Sequence, residues 1–551
     1  MIRVAATNIR GALAADPGLG AGNVLPKLFE HGAEPDGPGI AFDVTVDGHP
    51  AWVPLTLAQL RERVAARAAW LHGHGIKPRD PVAIYATSSA DFLLNFMALT
   101  WLGAIPAVMN GNMGGDIAAG FIRGLRGVGV LTGAAQRALL DGQDLGCPIL
   151  ADTAEVGAAD PAAAPPHYRH HADDPIAITH SSGTTRTPVP VLHSHSSLFA
   201  ATRRVHLATT RTAEAVRTLC VLPAAHAAGI ISTQQALCNR HELLYLSAQG
   251  GPFGRSGANV LDAIERWRPT DVYGFPVTWA ELAAFDLSKR DLSSVSVWFN
   301  TGDCAHEAHV RRLVAAGSHL AYTPEGIKRV PGSKFVDGIG SSEMGHSAFR
   351  IVHRLGSDRY ERCVGKPYPW AEVALLDLDT GNEVPAGHVG HVALKSPTLA
   401  LGYWNDSVNT YRTRLGGYYL TGDLMYRDAD GYYYHLDRAV DAVDLGDGNW
   451  LYTALSEERI LVRCPGVRDC TVVTAKSDGK VITDVMLVLG PGADPGEDRT
   501  AAVAAALGAP VAGTLRQVVT VPEDDIVLGP TGKVRKFLMR ERQLATIAAA
   551  Q

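Results

Sequence analysis

Between Ser181 and His195 the chain reads SSGTTRTPVPVLHSH. A loop of Ser, Thr and Gly leaving a buried strand presents closely spaced backbone N–H groups and hydroxyls, a donor surface suited to phosphate oxygens. No Lys-Ser or Lys-Thr closes it, so it is not the P-loop of nucleotide triphosphatases. Other reactive residue types argue for less. The 21 histidines form no HExxH pair, and His193, His195, His306 and His309 read as surface or core hydrogen-bonding groups. Cys304 has no His at a spacing that would activate it, which makes it a packed thiol. The HYRHH cluster (His167–His171) beside Asp173 and Asp174 holds metal-ligand types, but a Pro-rich surface linker preorganises no closed ligand set. It reads as a solvated polar patch.

Positioning that loop requires a β/α framework. Leu57, Leu60, Val64, Ala68 and Leu71 share one face of a helix. Gly75 and Pro78 end it, VAIY (Val82–Tyr85) follows as a strand, and the uncharged run Phe92–Met109 reads as buried helix, turn and strand. Pro106 argues against a membrane span there. Such alternation predicts a largely parallel sheet covered by helices. Gly157–Asp174 is low in complexity and reads as a linker, after which Ile176–Thr179 runs as a short strand into the Ser/Thr/Gly loop. Val364–Asp437 changes to short alternating runs, predicting antiparallel strands in a barrel-like subdomain. The last hundred residues, with an Ala-rich helix at Arg499–Leu507, predict a small α+β domain.

Composition bounds the function. The 551 residues carry 50 Lys plus Arg against 56 Asp plus Glu, a net charge of −6. This balance disfavours nucleic acid and anionic membranes as partners. Seven cysteines without a CxxC pair argue against a disulfide scaffold and a structural zinc site, and for a reducing cytoplasm.

Six ordered segments resemble the adenylate-forming enzymes, the superfamily of acyl- and aryl-CoA synthetases, luciferases and nonribosomal-peptide adenylation domains. They are the Ser/Thr/Gly loop, PAAHAAG (Pro223–Gly229), GIGSSE (Gly338–Glu343), GYW (Gly402–Trp404) followed by TGD (Thr421–Asp423), the Arg438–Asp441 stretch, and PTGK (Pro530–Lys533). The resemblance implies a large N-terminal α/β domain over residues 1–440 that binds ATP and acid. It implies a mobile C-terminal domain over 441–551 that swings about Asp441 and carries a catalytic lysine, Lys533. Ser182, Gly183, Thr184 and Thr185 would hold the β- and γ-phosphates. Glu343 would ligate Mg²⁺, a hard cation that takes oxygen ligands, with Ser342 beside it. Asp303, Ile339, Gly340 and Ser341 would line the nucleotide site, Asp423 and Arg438 would grip the ribose, and His226, Gly340 and Met344 would border the acid. Lys533 would meet the negative charge that converges on the α-phosphate and the attacking acid.

Departures from the family pattern bear on the second substrate. Arg186 and Val189 replace the usual Gly and Lys of the phosphate loop, Ile339 replaces the adenine-stacking Tyr, and Asp444 stands where the hinge motif ends in Lys. The expected activity is adenylation of an acid by ATP with release of pyrophosphate, then capture by a nucleophile. Activation of nitrite for attack by an aryl amine, the diazotase reaction of secondary metabolism, is the specific expectation. An aryl- or acyl-CoA ligase and a non-enzymatic nucleotide-binding protein are the alternatives.

Overall fold

The computed structural model describes residues 2–181, 188–208, 215–247, 256–477, 479–529 and 533–550. The helix Leu57–Gly73 starts on a capping box between Thr56 and Gln59, which satisfies two backbone donors reciprocally. It packs on the helix Ser89–Leu102, whose Ser88 cap accepts from Asp91 N and whose end is closed by Gly103 at φ 76. The uncharged run is thus a buried helix followed by the strand Ile105–Asn110. Among the described residues no helix is long and apolar enough to cross a membrane.

Two sheets carry the large domain. In one, Pro81–Ala86, Ile105–Asn110, Gly129–Thr132, Ile149–Asp152 and Pro175–His180 run parallel, and Pro190–Ser194 turns back against Pro175–His180. In the other, Ile40–Phe42, Glu242–Tyr245, Arg217–Cys220, Asp271–Gly274, Val297–Asn300 and Lys334–Asp337 are parallel neighbours. The antiparallel run expected as a barrel-like subdomain is hydrogen-bonded onto that sheet. Phe349–His353 pairs with Lys334–Asp337, and the path continues through Cys363–Pro367, Tyr433–Arg438, Tyr418–Arg427 and Gly390–Lys395 to Glu372–Leu376.

The smaller C-terminal domain packs the helix Thr453–Arg463 and the helix Thr500–Leu507 on a three-stranded sheet, Val467–Ser477, Lys480–Leu489 and Leu515–Thr520. Leu451, Ile460, Val472, Val485, Leu487 and Val503 form a hydrophobic core of its own. All seven cysteines are free thiols.

The linker departs from its expectation. The segment His167–His171 is solvated only in part: Arg169 and His171 are exposed, but Tyr168 N donates to Trp101 O, His170 Nε2 contacts Thr100 O at 2.9 Å, and the His170 ring stacks on His195 at 4.7 Å. Burial holds His170 below the ordinary histidine range and takes His167 down to about 4, so both rings are neutral packing groups. Among the described residues no group of His, Cys, Asp and Glu is arranged to hold a metal ion.

Candidate active site

Four parallel strands of the second sheet end at one place. Arg217–Cys220 leads to Pro223–His226, Asp271–Gly274 to Phe275, Val297–Asn300 to Gly302–Cys304, and Lys334–Asp337 to Ile339–Met344. Ligands of open α/β sheets bind at such carboxyl ends. The strand Pro175–His180 of the first sheet delivers the Ser/Thr/Gly loop to the same region, because Ser342 Oγ donates to His180 O at 2.7 Å. Ser182, Gly183, Thr184, Thr185 and Arg186 lie outside the described residues.

His226 caps the helix Ala227–Asn239, with Ala228 N–H donating to its Nδ1 at 3.1 Å. The acceptor role of Nδ1 leaves the ring proton on Nε2. Burial, with help from His180, Lys533 and His193, takes its pKa down to about 3. His226 is therefore a neutral Nε2–H donor at the helix N-terminus. Phe275 meets its ring edge-on at 5.2 Å, and Ile339 and Met344 are buried. Cys304 is buried too, with Sγ 3.7 Å from Asp337 Oδ2, and burial raises its pKa well above the ordinary thiol value. It is a packed thiol.

Lys533 reaches in from the small domain, its Nζ donating to Gly302 O at 3.1 Å. Asp303 is next to it. Burial alone would raise the Asp303 pKa, but Lys533 and Arg362 together hold it well below the usual carboxylate range.

Asp423 and Arg438 are direct cross-strand partners, with Arg438 Nη1 donating to Asp423 Oδ1 at 3.1 Å. Gly422, just before Asp423, has φ 79, and a Cβ there would stand 3.0 Å from Arg438 Nη2. Only glycine gives both that backbone and that approach. Asp423 is 4% exposed. Burial pushes its pKa up, but Arg438, His435 and the Thr421 hydroxyl bring it down to about 2.

Glu343 accepts from Tyr403 Oη at 3.1 Å, joining the GIGSSE and GYW segments. A single carboxylate fits Mg²⁺ that arrives with ATP, since this ion keeps waters and takes substrate phosphates as ligands.

Four contributors escaped the sequence reading: Asp337, Arg362, His435 and Glu458. Asp337 Oδ1 accepts from Asn300 Nδ2 and Gly338 N, and Oδ2 from Ala305 N, which ties the loops after two strands together. Burial outweighs these donors and raises its pKa to about 6.

Glu458, on the small domain's first helix, accepts from Glu307 N at 3.0 Å and contacts His306 Nδ1 at 2.6 Å. Burial lowers the His306 pKa, yet Glu458 more than reverses this and raises it. The groups facing the pair are His309, Arg362 and Asp469. Asp437 of the large domain caps the same helix, accepting from Thr453 N and from Thr453 Oγ1. The Thr301–His309 stretch, TGDCAHEAH, thus docks the small domain in the arrangement that brings Lys533 into the site.

Because the His306 pKa is raised, the pair's contribution is fully present below the ordinary histidine range and is lost as pH rises through the raised value. Cleavage by a protease at the Asp441 region is expected to accelerate in the wild type as pH rises through the raised His306 value. In Glu458→Gln the profile should be flat and fast, with adenylation about tenfold slower, the loss of one charge-assisted hydrogen bond. A pH-dependent profile in Glu458→Gln would assign the contact no part in docking.

The model of the AMP-binding enzyme family matches residues 35–404. A 3-aminoavenalumate diazotase of Streptomyces sp is 43% identical over 97% of this chain and 97% of its own. A 3-hydroxybenzoate–CoA ligase of Aromatoleum sp. (strain CIB) is 28% identical over 66% of this chain and 65% of its own. The crystal structure of an anthranilate CoA ligase in complex with anthranoyl-AMP superposes with a TM-score of 0.80 at 23% identity, covering 98% of this chain and 100% of that one. The chain belongs to the AMP-binding enzyme family and is an adenylate-forming ligase. ATP and magnesium use is that of the family.

Proposed function

We propose that the enzyme is an ATP-dependent diazotase, activating nitrite as a nitrosyl adenylate that an aryl amine then attacks. The observation that carries this reading is the 43% identity, along the whole chain, to a diazotase, against 28% over two-thirds of it to an aryl-CoA ligase. In the first half-reaction a nitrite oxygen attacks the α-phosphorus of ATP and pyrophosphate leaves. In the second the amine nitrogen attacks the nitrosyl nitrogen, the N–O bond to AMP breaks, and the amine loses a proton. The resulting N-nitrosamine loses hydroxide after tautomerising and leaves a diazonium group.

The residues divide this work. Ser182–Thr185 hold the β- and γ-phosphates, Asp423 and Arg438 the ribose, and Asp303, Ile339, Gly340, Ser341 and Ser342 line the nucleotide. Glu343 holds Mg²⁺, which supplies charge neutralisation on the phosphates. His226, with Gly340 and Met344, borders the acid and offers its neutral Nε2–H to a nitrite oxygen, a donor that puts no second cation beside Lys533. Lys533 bridges the α-phosphate and the attacking anion. The large domain ends at residue 440, and the small domain turns about Asp441, whose Oδ1 accepts from Arg540 Nη2 at 3.0 Å.

The hinge supports an amine over CoA. Asp444 is exposed on a hairpin, its Oδ1 accepting from Gly446 N, and no Lys or Arg occurs between Arg438 and Arg459. CoA phosphates are bound through charge-assisted hydrogen bonds of about 1.5–3 kcal/mol each, so an anion in place of a cation weakens CoA by about tenfold or more. A neutral amine loses nothing.

The test supplies ATP, Mg²⁺ and nitrite with aminobenzoate- and aminocinnamate-type amines, and separately a panel of aryl acids with CoA. AMP and pyrophosphate release that needs both nitrite and amine, with a product of diazonium mass, is the expected result. Thioester formation without turnover of nitrite and amine would instead make the enzyme an aryl-CoA ligase.

A further inference from the structure

Glu361 and Arg362 have φ 54 and φ 62. Two successive non-glycine residues in the left-handed region are costly and persist where surrounding contacts over-determine them. They open the strand Cys363–Pro367, whose pairing with Tyr433–Arg438 shifts register between Cys363 and Gly365. Bulges of this kind re-aim side chains beside functional sites.

Here the re-aimed side chain is the Arg362 guanidinium, 3% exposed. Its Nη2 donates to Asp303 Oδ1 at 3.1 Å and to His435 Nδ1 at 2.8 Å, and its Nε donates to His435 O at 3.2 Å. The backbone closes the same contact, with His435 N donating to Arg362 O at 3.0 Å. A cation facing Nδ1 excludes a proton there, so the imidazole carries its hydrogen on Nε2. That atom is buried and faces Asp423 Oδ1 at 3.5 Å.

One side chain therefore bears on two carboxylates: directly on Asp303, which lies next to the Gly302–Lys533 contact, and on Asp423 through an imidazole whose buried Nε2 has no other partner and lies 3.5 Å from Asp423 Oδ1. Arg438 meets Asp423 Oδ1 from the other side and is itself only part-buried. Without Arg362, His435 is free to place its proton on either nitrogen and to turn, and Asp423 keeps Arg438 and the Thr421 hydroxyl to orient it.

We propose that Arg362 is a positioning residue for nucleotide selection, holding Asp303 and, through His435, the ribose-facing carboxylate Asp423 in the geometry that reads the ribose hydroxyls of ATP. This rests on the assignment of Asp423 to the ribose. Arg362 touches no substrate. Its effect falls on discrimination between ribose and deoxyribose nucleotides, because the two hydroxyls are what a correctly oriented carboxylate recognises. Hydrogen bonds to a charged group contribute enough to make the expected loss about tenfold to a hundredfold.

The experiment measures binding of ATP, 2′-deoxy-ATP and 3′-deoxy-ATP to the full-length protein by calorimetry, for the wild type, Arg362→Met, Arg362→Lys, His435→Phe and Asp423→Asn. Thermal unfolding is followed alongside. The wild type is expected to prefer ATP over both deoxynucleotides. Arg362→Met and His435→Phe should bring the three affinities to within a few-fold of one another. Arg362→Lys keeps the charge but cannot serve Asp303 and His435 together, so it should recover only part of the preference even where Arg362→Met unfolds. A lowered melting temperature with full discrimination in Arg362→Lys and His435→Phe would make the network purely structural and overturn the inference. Discrimination lost in Asp423→Asn but kept in the Arg362 variants would overturn it while leaving the ribose assignment intact. Discrimination kept in Asp423→Asn would remove that assignment, and the inference with it.

Discussion

Lys533→Ala is expected to slow adenylate formation by about a hundredfold to a thousandfold, the loss typical of one donor aimed at developing charge, while ATP affinity changes little. The ammonium sits 3.1 Å from Gly302 O and acts electrostatically on both Asp303 and His226. Attack of an anion on the α-phosphorus brings together charges that are still apart in the bound ground state. A cation at the meeting point therefore stabilises the transition state more than the Michaelis complex and acts on kcat. Pyrophosphate release at saturating ATP, with calorimetry of ATP binding beside it, separates the two. A variant that turns over near the wild-type rate would remove Lys533 from the chemistry. One that fails to bind ATP would make it a ground-state phosphate ligand.

The large domain's parallel framework was legible because its signals are local. Gly103 and Pro106 punctuate the uncharged run at the end of the buried helix and inside the next strand. The Thr421–Asp423 segment and Arg438 were legible as motifs, and their register as cross-strand partners follows from a short hairpin connection. Arg362 was not. Its type and neighbours signal nothing, and its partners lie 59 and 73 positions away. The His306–Glu458 contact spans 152 positions and crosses from one domain to the other. TGDCAHEAH could be noticed as unusual, but its partner could not be read. His167 and His170 depart from their expectation for the complementary reason: polar composition predicts solvent, which holds for Arg169 and His171, whereas the fold lays His167 against Trp101 and His170 against His195. Where one residue's role depends on a distant partner, composition has no access to it.

Asp423→Asn is expected to weaken ATP binding by about a hundredfold while the protein stays folded at neutral pH. In the proposed reading each ribose hydroxyl donates to a carboxylate oxygen, and the amide offers one acceptor and an N–H₂ group that turns donor toward donor. It also leaves Arg438 without its ion partner, and breaking such a pair from one side costs more than the pair itself contributes. The same substitution has a signature in acid. The carboxyl is depressed to about 2 from an ordinary value of 3.8, so its contribution to folding is present above the ordinary carboxylate range and disappears as pH falls toward 2. The size of that contribution is about 2 kcal/mol, from the conversion of one pKa unit to 1.36 kcal/mol. Urea unfolding of wild type and variant between pH 5 and pH 2 should show curves that differ most at the upper end and converge at the lower. Parallel curves across that range, or unchanged ATP affinity, would mean that Asp423 neither holds Arg438 as a charge nor meets the ribose. Convergence together with weakened ATP binding would show one buried carboxylate serving the strand pair and the nucleotide at once.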